Sequence, residues 1–396
     1  MVNAPRNPRV SILSVLVAAC LSLTACGGDA SPGDASGASG TSGTSAGVLD
    51  SAVKAVESGY AGAYTKPPSS GPRPAKDKHI WVITAWQQVR ALAYQAEQLS
   101  AAAGVLGWKA KVCDGLNNAN GGMATCVRQA TAAGASGIVL VSVDCAPVRQ
   151  ALVEARKAGV KIASFSGFDC DDPTQDGSSP LFDAPASYSA EMPELADFYT
   201  RLGAMRADLA IAKTGGEAKV LHIAFHGIAF GDYVAKGFID RIAACGGCEI
   251  VGTVKVAPAD VPNLRQKFET ALVQASQANV VAVDVDHFFV AGIQPALVSS
   301  PRKDLVVIGN ECQIDNLDYI RGGRGQQYCL GASNAYRAYT TIDALNRVFN
   351  GERVVPGGVG IQIVDKDHNL PAAGTEYVGP VDFAALYAGT WKGSPR

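Results

Sequence analysis

Gly134-Ala135-Ser136-Gly137-Ile138-Val139-Leu140-Val141, running on into Ser142-Val143-Asp144, is the stretch that decides the fold. Gly134 closes a helix-period segment, where a left-handed C′ residue is least strained as glycine. The apolar run after it, bounded by turn residues, reads as a short strand. The same cue returns at Ala158-Gly159-Val160-Lys161-Ile162-Ala163. Upstream, Ile80-Trp81-Val82-Ile83 is another such strand. Val89, Leu92, Ala93, Ala96 and Leu99 then fall at spacings that share one helix face, and Gly104 is expected to close that helix. Strands alternating with helices of this length imply parallel sheets with right-handed crossovers.

The alternation restarts after a long loop, roughly Asp169 to Pro185. Its strands are Lys219 to Ala224, Glu249 to Val256, Asn279 to Val285 and Asp304 to Ile308. The chain therefore holds two similar α/β halves. Such sheets bind ligands beyond the carboxyl ends of their strands, so two facing halves make a cleft.

The composition agrees with this. There are 396 residues, 47% of them hydrophobic, with a net charge of -2. That is globular composition with enough chain for two domains. The near-neutral balance supplies no clustered basic surface for a nucleic acid, and none is expected as a partner. Ten cysteines are many for a cytosolic protein without metal spacing or catalytic work to explain them.

The N-terminus accounts for the cysteines. Arg6 and Arg9 precede an apolar run from Val10 to Leu23, and Leu23-Thr24-Ala25-Cys26 follows. A basic start, a short apolar core and small residues before a cut site describe a secretory signal peptide over residues 1–26. The run is shorter than the ~20 apolar residues of a membrane-spanning helix. Its ending resembles a bacterial lipobox, which implies a lipid on Cys26 and anchoring to the outer face of the cytoplasmic membrane. Cys20 leaves with the leader. Residues 27–75 read as a flexible Gly/Ser tether and a linker, with a short helical pattern near Val48–Ser58 and a Pro-rich stretch from Pro67 to Pro74.

From His79 to about Val364 the chain resembles the type I periplasmic binding proteins, and within them the ribose-binding-protein-like group. The resemblance is carried, in order, by Ile83-Thr84-Ala85-Trp86, Ala133 to Leu140 with Val143-Asp144, Ala158 to Ile162, Lys236-Gly237-Phe238 and Val306-Val307-Ile308-Gly309. It implies two Rossmann-like lobes with parallel sheets, joined by a three-strand hinge with the ligand cleft between them. Each lobe is then discontinuous: 76–186 plus 333–358 form the N-terminal lobe, and 187–332 plus 359–396 the C-terminal one. It also implies a monomer without cofactor or catalytic residues that captures a small polar solute for an ABC permease. The alternative is a lipoprotein that feeds a chemoreceptor or sensor kinase, which would use the same trap.

Carried over position by position, the family's ligand contacts fall on Trp86 and Gln87 after the first strand and on Asp144 after the third. Ser166-Gly167 stand where the family has Asp-Arg, and Asp232 stands for an arginine. Asp286 stands for an asparagine, Glu311 for an aspartate and Asn334 for a glutamine. An aromatic face stacks on a sugar ring while amides and carboxylates accept from hydroxyls. Replacing both arginines removes bidentate donors. A sugar or polyol thus stays in front, and a cationic ligand comes second, given Asp232, Asp286 and Glu311.

An envelope hydrolase is the rival class, and its chemistry is weakly represented. His79, His222, His226, His287 and His368 show no metal-ligand spacing. Ala163-Ser164-Phe165-Ser166-Gly167 lacks the first glycine of a nucleophile elbow. Asp365-Lys366-Asp367-His368-Asn369 matches some calcium-loop positions, but Leu370 stands where that loop needs glycine, so it reads as a solvated turn and no metal is expected. A repressor of this fold would need a helix-turn-helix before the core, and none is present.

With Cys20 and Cys26 set aside, eight cysteines remain for an oxidising compartment. The strand order that the resemblance implies places Cys145 and Cys170 at the ends of neighbouring strands. It places Cys113 at the end of the second strand with Cys126 on the next helix, and Cys312 and Cys329 around the last strand-helix unit. Cys245 and Cys248 are left to close a local loop, as a structural bridge rather than a redox pair.

Overall fold

The computed structural model describes residues 42–392. The expected leader, the lipidation site Cys26 and the first part of the tether lie outside the described residues.

Two four-stranded parallel sheets carry the architecture. The first takes β1 (His79–Thr84), β2 (Lys109–Asp114), β3 (Gly137–Val141) and β4 (Lys161–Ser164) in the order β2-β1-β3-β4. Helices α2 (Arg90–Val105), α3 (Gly122–Ala132) and α4 (Arg149–Lys157) connect them, α1 being the N-terminal helix taken up below. The second sheet takes β5 (Lys219–Phe225), β6 (Glu249–Val256), β7 (Val280–Val283) and β8 (Val306–Ile308) in the order β6-β5-β7-β8. Its helices are α5 (Leu195–Lys213), α6 (Ala229–Ala243), α7 (Leu264–Gln274), α8 (Gln294–Ser299) and α9 (Ile314–Gly322). The central strand β3 shows why both faces are covered. Ile138 and Leu140 pack on one side, Val139 and Val141 on the other, and all four are fully buried.

Gly134 and Gly159 adopt the left-handed conformation expected of helix-ending glycines. Gly104 does not; it lies inside α2, and Gly107 takes the left-handed turn at φ 74°. The stop comes one turn later because Ala102, Ala103 and Leu106 still have core to cover.

Three segments run side by side between the lobes. Ala184 pairs with Ala163 of β4, and Tyr328 pairs with Ile308 of β8. Beyond them β9 (Cys329–Gly331) pairs antiparallel with β10 (Gln362–Val364), while Gly358 and Val359 N–H both donate to Tyr188 O at 2.8 Å. Helix α10 (Asn334–Phe349) then packs on α2 and β4 of the first lobe. The C-terminal helix α11 (Phe383–Thr390) corrects an expected boundary. It packs on α10, with Tyr387 OH donating to Thr340 and Trp391 Nε1 to Asp343, so this end of 359–396 joins the first lobe.

The segment expected as a free linker is docked instead. Helix α1 (Ser42–Ala61) lies against α5 and β10, burying Ala52 and Val56. From there residues 62–75 run along the hinge to the first lobe. Arg347 donates to Ser70 O, Asn346 to Pro72 O and Trp108 to Ala75 O. The apolar spacing of α1 supplies a stripe that the second lobe covers, and the prolines leave carbonyls free for side chains of α10.

Helices α5 and α6 approach so closely that Gly203 and Gly237 face each other's backbone. A methyl group on either would strike a carbonyl of the other helix, Val234 O or Thr200 O respectively. The Gly237-Phe238 pair is thus a packing feature. The eight cysteines pair as Cys113–Cys126, Cys145–Cys170, Cys245–Cys248 and Cys312–Cys329.

Candidate functional site

The strand ends of both sheets open on a cavity between the lobes, with about 820 Å³ of empty space, part of it open to solvent. The first lobe contributes Trp86, Gln95, Ser142 and Ser166; the second contributes Tyr199, Phe225, Phe288 and Glu311; α10 contributes Arg337. A second, more polar chamber of about 1010 Å³ adjoins it and shares Ala85, Asn117, Ser142, Ile228 and Pro258 with it. Asp144 and Asp232 lie on this outer wall.

Of the residues expected from the sequence, Trp86, Ser166 and Glu311 line the inner cavity. Ser166 Oγ accepts from Ser142 N at 2.8 Å and lies 3.2 Å from Ser142 Oγ. Glu311 sits on left-handed backbone at φ 42°, and its Oε2 accepts from Asp286 N at 3.2 Å. Burial pushes its carboxyl up; the Asp286 N–H and the Arg337 charge oppose that.

Three expected contacts lie elsewhere. Asp286 is buried under the floor, where its carboxylate accepts from Asn310 N at 2.8 Å and Gln313 N at 3.1 Å. It holds the turn that presents Glu311, and burial together with the Glu311 charge raises its pKa well above the ordinary range. Asn334 Oδ1 accepts from Gln95 Nε2 at 3.2 Å and Arg337 Nη1 at 3.3 Å, a bracket behind the cavity. Gln87 folds back on β1, donating to Thr84 Oγ1 at 2.8 Å. Each is held by groups of the chain itself: backbone N–H groups for Asp286, the Gln95 amide and Arg337 guanidinium for Asn334, and the Thr84 hydroxyl for Gln87.

The sequence reading missed two groups. Gln95 is 4% exposed, and its Oε1 has no partner among the described residues. Its signal was a polar residue on the stripe of Leu92 and Leu99. Arg337 restores the cation that the carried-over positions lack. Its guanidinium carbon lies 4.4 Å from the Phe165 ring and 4.6 Å from the Tyr188 ring, and Nη2 donates to Tyr199 OH at 3.2 Å. It sits three residues after Asn334, on the same helix face.

Asp144 and α6 join the lobes. Asp144 Oδ1 accepts from Phe168 N at 3.0 Å, and Oδ2 from Ala229 N of α6 at 3.4 Å. Burial pushes this carboxyl up to about 6, against the two backbone donors and with the charges of Asp172 and Asp232 adding to it. Beside it Tyr233 OH donates to Asp172 Oδ2 at 2.9 Å, and the Phe168 and Tyr233 rings stack 5.1 Å apart. Across the mouth Arg90 lies 3.5 Å from Asp315. The cleft is thus drawn with its lobes in contact.

The model matching residues 82–353 is that of the "Periplasmic binding protein domain". The chain belongs to the periplasmic binding protein family. No curated protein matches it in sequence. Among solved structures it is similar to a galactofuranose binding protein, with a TM-score of 0.60 at 15% identity over 74% of this chain and 95% of that one. The glucose-galactose binding protein of Geobacillus stearothermophilus matches with a TM-score of 0.62 at 14% identity, covering 75% and 100%. A Mycobacterium smegmatis ABC transporter solute binding protein with bound glycerol matches at 0.60 and 19%, covering 76% and 99%. These likenesses establish the fold.

The other motifs and histidines of this periplasmic binding protein have the following surroundings. Among the described residues, the one group spaced for a metal is Cys145, Asp169 and Cys170, whose sulfurs are joined as a disulfide. Ser164 Oγ donates to Gly167 O at 2.6 Å, and no histidine contacts it among the described residues. Asp365 is occupied by Asp367 N, His368 N, His368 Nδ1 and Tyr60 OH. His226 is exposed beside Asp232, while His222 is buried against Asp284.

Proposed function

We propose that this protein is an extracytoplasmic solute-binding lipoprotein that captures a sugar or polyol and delivers it to an ABC permease. The observation that carries the reading is the cavity between the lobes, with the unpartnered Gln95 Oε1 and the Glu311 carboxylate among its walls. Both accept hydrogen bonds, and the aromatic rings beside them suit the apolar face of a sugar ring. The solved structures it resembles include one with bound allitol and one with bound D-allose, which supports the same ligand class.

In this reading the protein acts as a monomer and binds its ligand unchanged. Cys26 carries the lipid, and two acyl chains suffice for stable anchoring. Native mass spectrometry of the purified protein tests the ligand class. A co-purifying sugar or polyol supports it, and turnover of the bound molecule refutes it. Cell fractionation tests the anchor: Cys26→Ala should release the protein, and a variant that stays with the membrane overturns the lipid assignment.

A further inference from the structure

The cleft offers more than one compartment, and the two differ in chemistry. The inner chamber is walled by Trp86, Phe225, Phe230 and Phe288 and holds two acceptors, Gln95 Oε1 and Glu311. The outer chamber is lined by Asn117, Asn118, Thr174, Asp144 and Asp232, with no lysine or arginine on its wall among the described residues. Asp144 already spends its oxygens on Phe168 N and Ala229 N, whereas among the described residues the Asp232 carboxylate meets only His226, at 3.6 Å. Asn117 and Asn118 reach the chamber on left-handed backbone, φ 51° and 59°, and Cys113–Cys126 ties the base of their loop. Left-handed conformations at successive non-glycine residues cost free energy and persist where the surroundings hold them.

The two chambers share five lining residues and so lie side by side in the cleft. We propose that the ligand is a two-unit, non-anionic solute. One ring lies in the aromatic chamber, and a second unit bearing hydroxyl or ammonium donors extends into the acidic chamber toward Asp232. The inference rests on the reading of the cleft as a sugar or polyol site and adds the ligand's length and charge. An anionic second unit meets two carboxylates there and is rejected by like charge.

Calorimetry on the full chain tests it, with four sets of probes. These are D-glucose, D-galactose and L-arabinose; lactose, cellobiose and melibiose; the glucosamine disaccharide; and lactobionate. The expected result is a two-unit probe, neutral or ammonium-bearing, that binds at least tenfold tighter than any monosaccharide, with lactobionate weakest. The neutral and amine arms decide which donor the outer chamber prefers. Asp232→Asn should lower affinity for that two-unit probe at least fivefold more than for its monosaccharide. A monosaccharide that binds as tightly as every disaccharide overturns the proposal and leaves the sugar-binding reading standing. An Asp232→Asn variant that weakens both classes equally, or tight lactobionate binding, also overturns it. If no probe binds, the proposal fails, and the sugar-or-polyol reading is decided by the co-purifying molecule that mass spectrometry identifies.

Discussion

Asp144→Asn should abolish a pH dependence of cleft closure. In the closed cleft Asp144 accepts from Phe168 N and from Ala229 N of the opposite lobe, and burial raises its pKa to about 6 from an ordinary 3.8. Opening the cleft takes away the α6 side of that burial, and the carboxyl returns toward its ordinary value. The closed form therefore holds a proton that the open form has released, and closure strengthens as pH falls. Going from about pH 7.5 to about pH 5 should favour the closed form about tenfold, or ~1.4 kcal/mol. The effect is lost as pH rises through about 6. Ligand affinity by calorimetry at the two pH values, in wild type and Asp144→Asn, measures it. Glu311 and Asp286 also have raised pKa values, but they are present in both proteins and drop out of the comparison. The wild type should gain about tenfold more than the variant. Equal gains, or a wild type that weakens at low pH relative to the variant, would refute the argument.

Trp86→Ala should weaken binding of whichever ligand co-purifies by about 5- to 150-fold, the loss of one stacked aromatic face at ~1–3 kcal/mol, without lowering the melting temperature. Unchanged affinity by calorimetry would move the site away from β1. Asp284 accepts from Arg206 Nη1 at 2.8 Å and lies 2.8 Å from His222 Nε2, all three buried. Burial alone would raise its pKa, but the His222 and Arg206 charges hold it below the ordinary range. Asp284→Leu alone should therefore destabilise by about 3–5 kcal/mol in urea unfolding, by leaving Arg206 uncompensated, and adding Arg206→Met should recover much of that. Gly237→Ala should cost at least about 1–3 kcal/mol, because its methyl strikes Thr200 O of α5; a thermal melt equal to wild type would contradict that packing.

What the sequence determined by itself is local. The short apolar runs Ile138–Val141 and Val280–Val283, bounded by turn residues, read as buried strands, and the glycines at 134 and 159 as cheap helix ends, because period and backbone freedom act within a few residues. The alternation of such elements then constrains the topology to parallel sheets with a cleft at their carboxyl ends. What only the tertiary structure decided is which polar group reaches the cleft. Asp286 and Asn334 occupy expected contact positions yet are turned toward backbone N–H groups and the Gln95–Arg337 bracket, since a buried carboxylate or amide takes the nearest donor or acceptor. Gln95 and Arg337 stand more than two hundred residues apart in the chain and meet through Asn334 only when α2 and α10 pack. The docking of α1 follows the same rule. Its stripe of Ala52 and Val56 is written in the sequence, but the surface that covers it belongs to α5 and β10, and no periodicity within α1 carries that information.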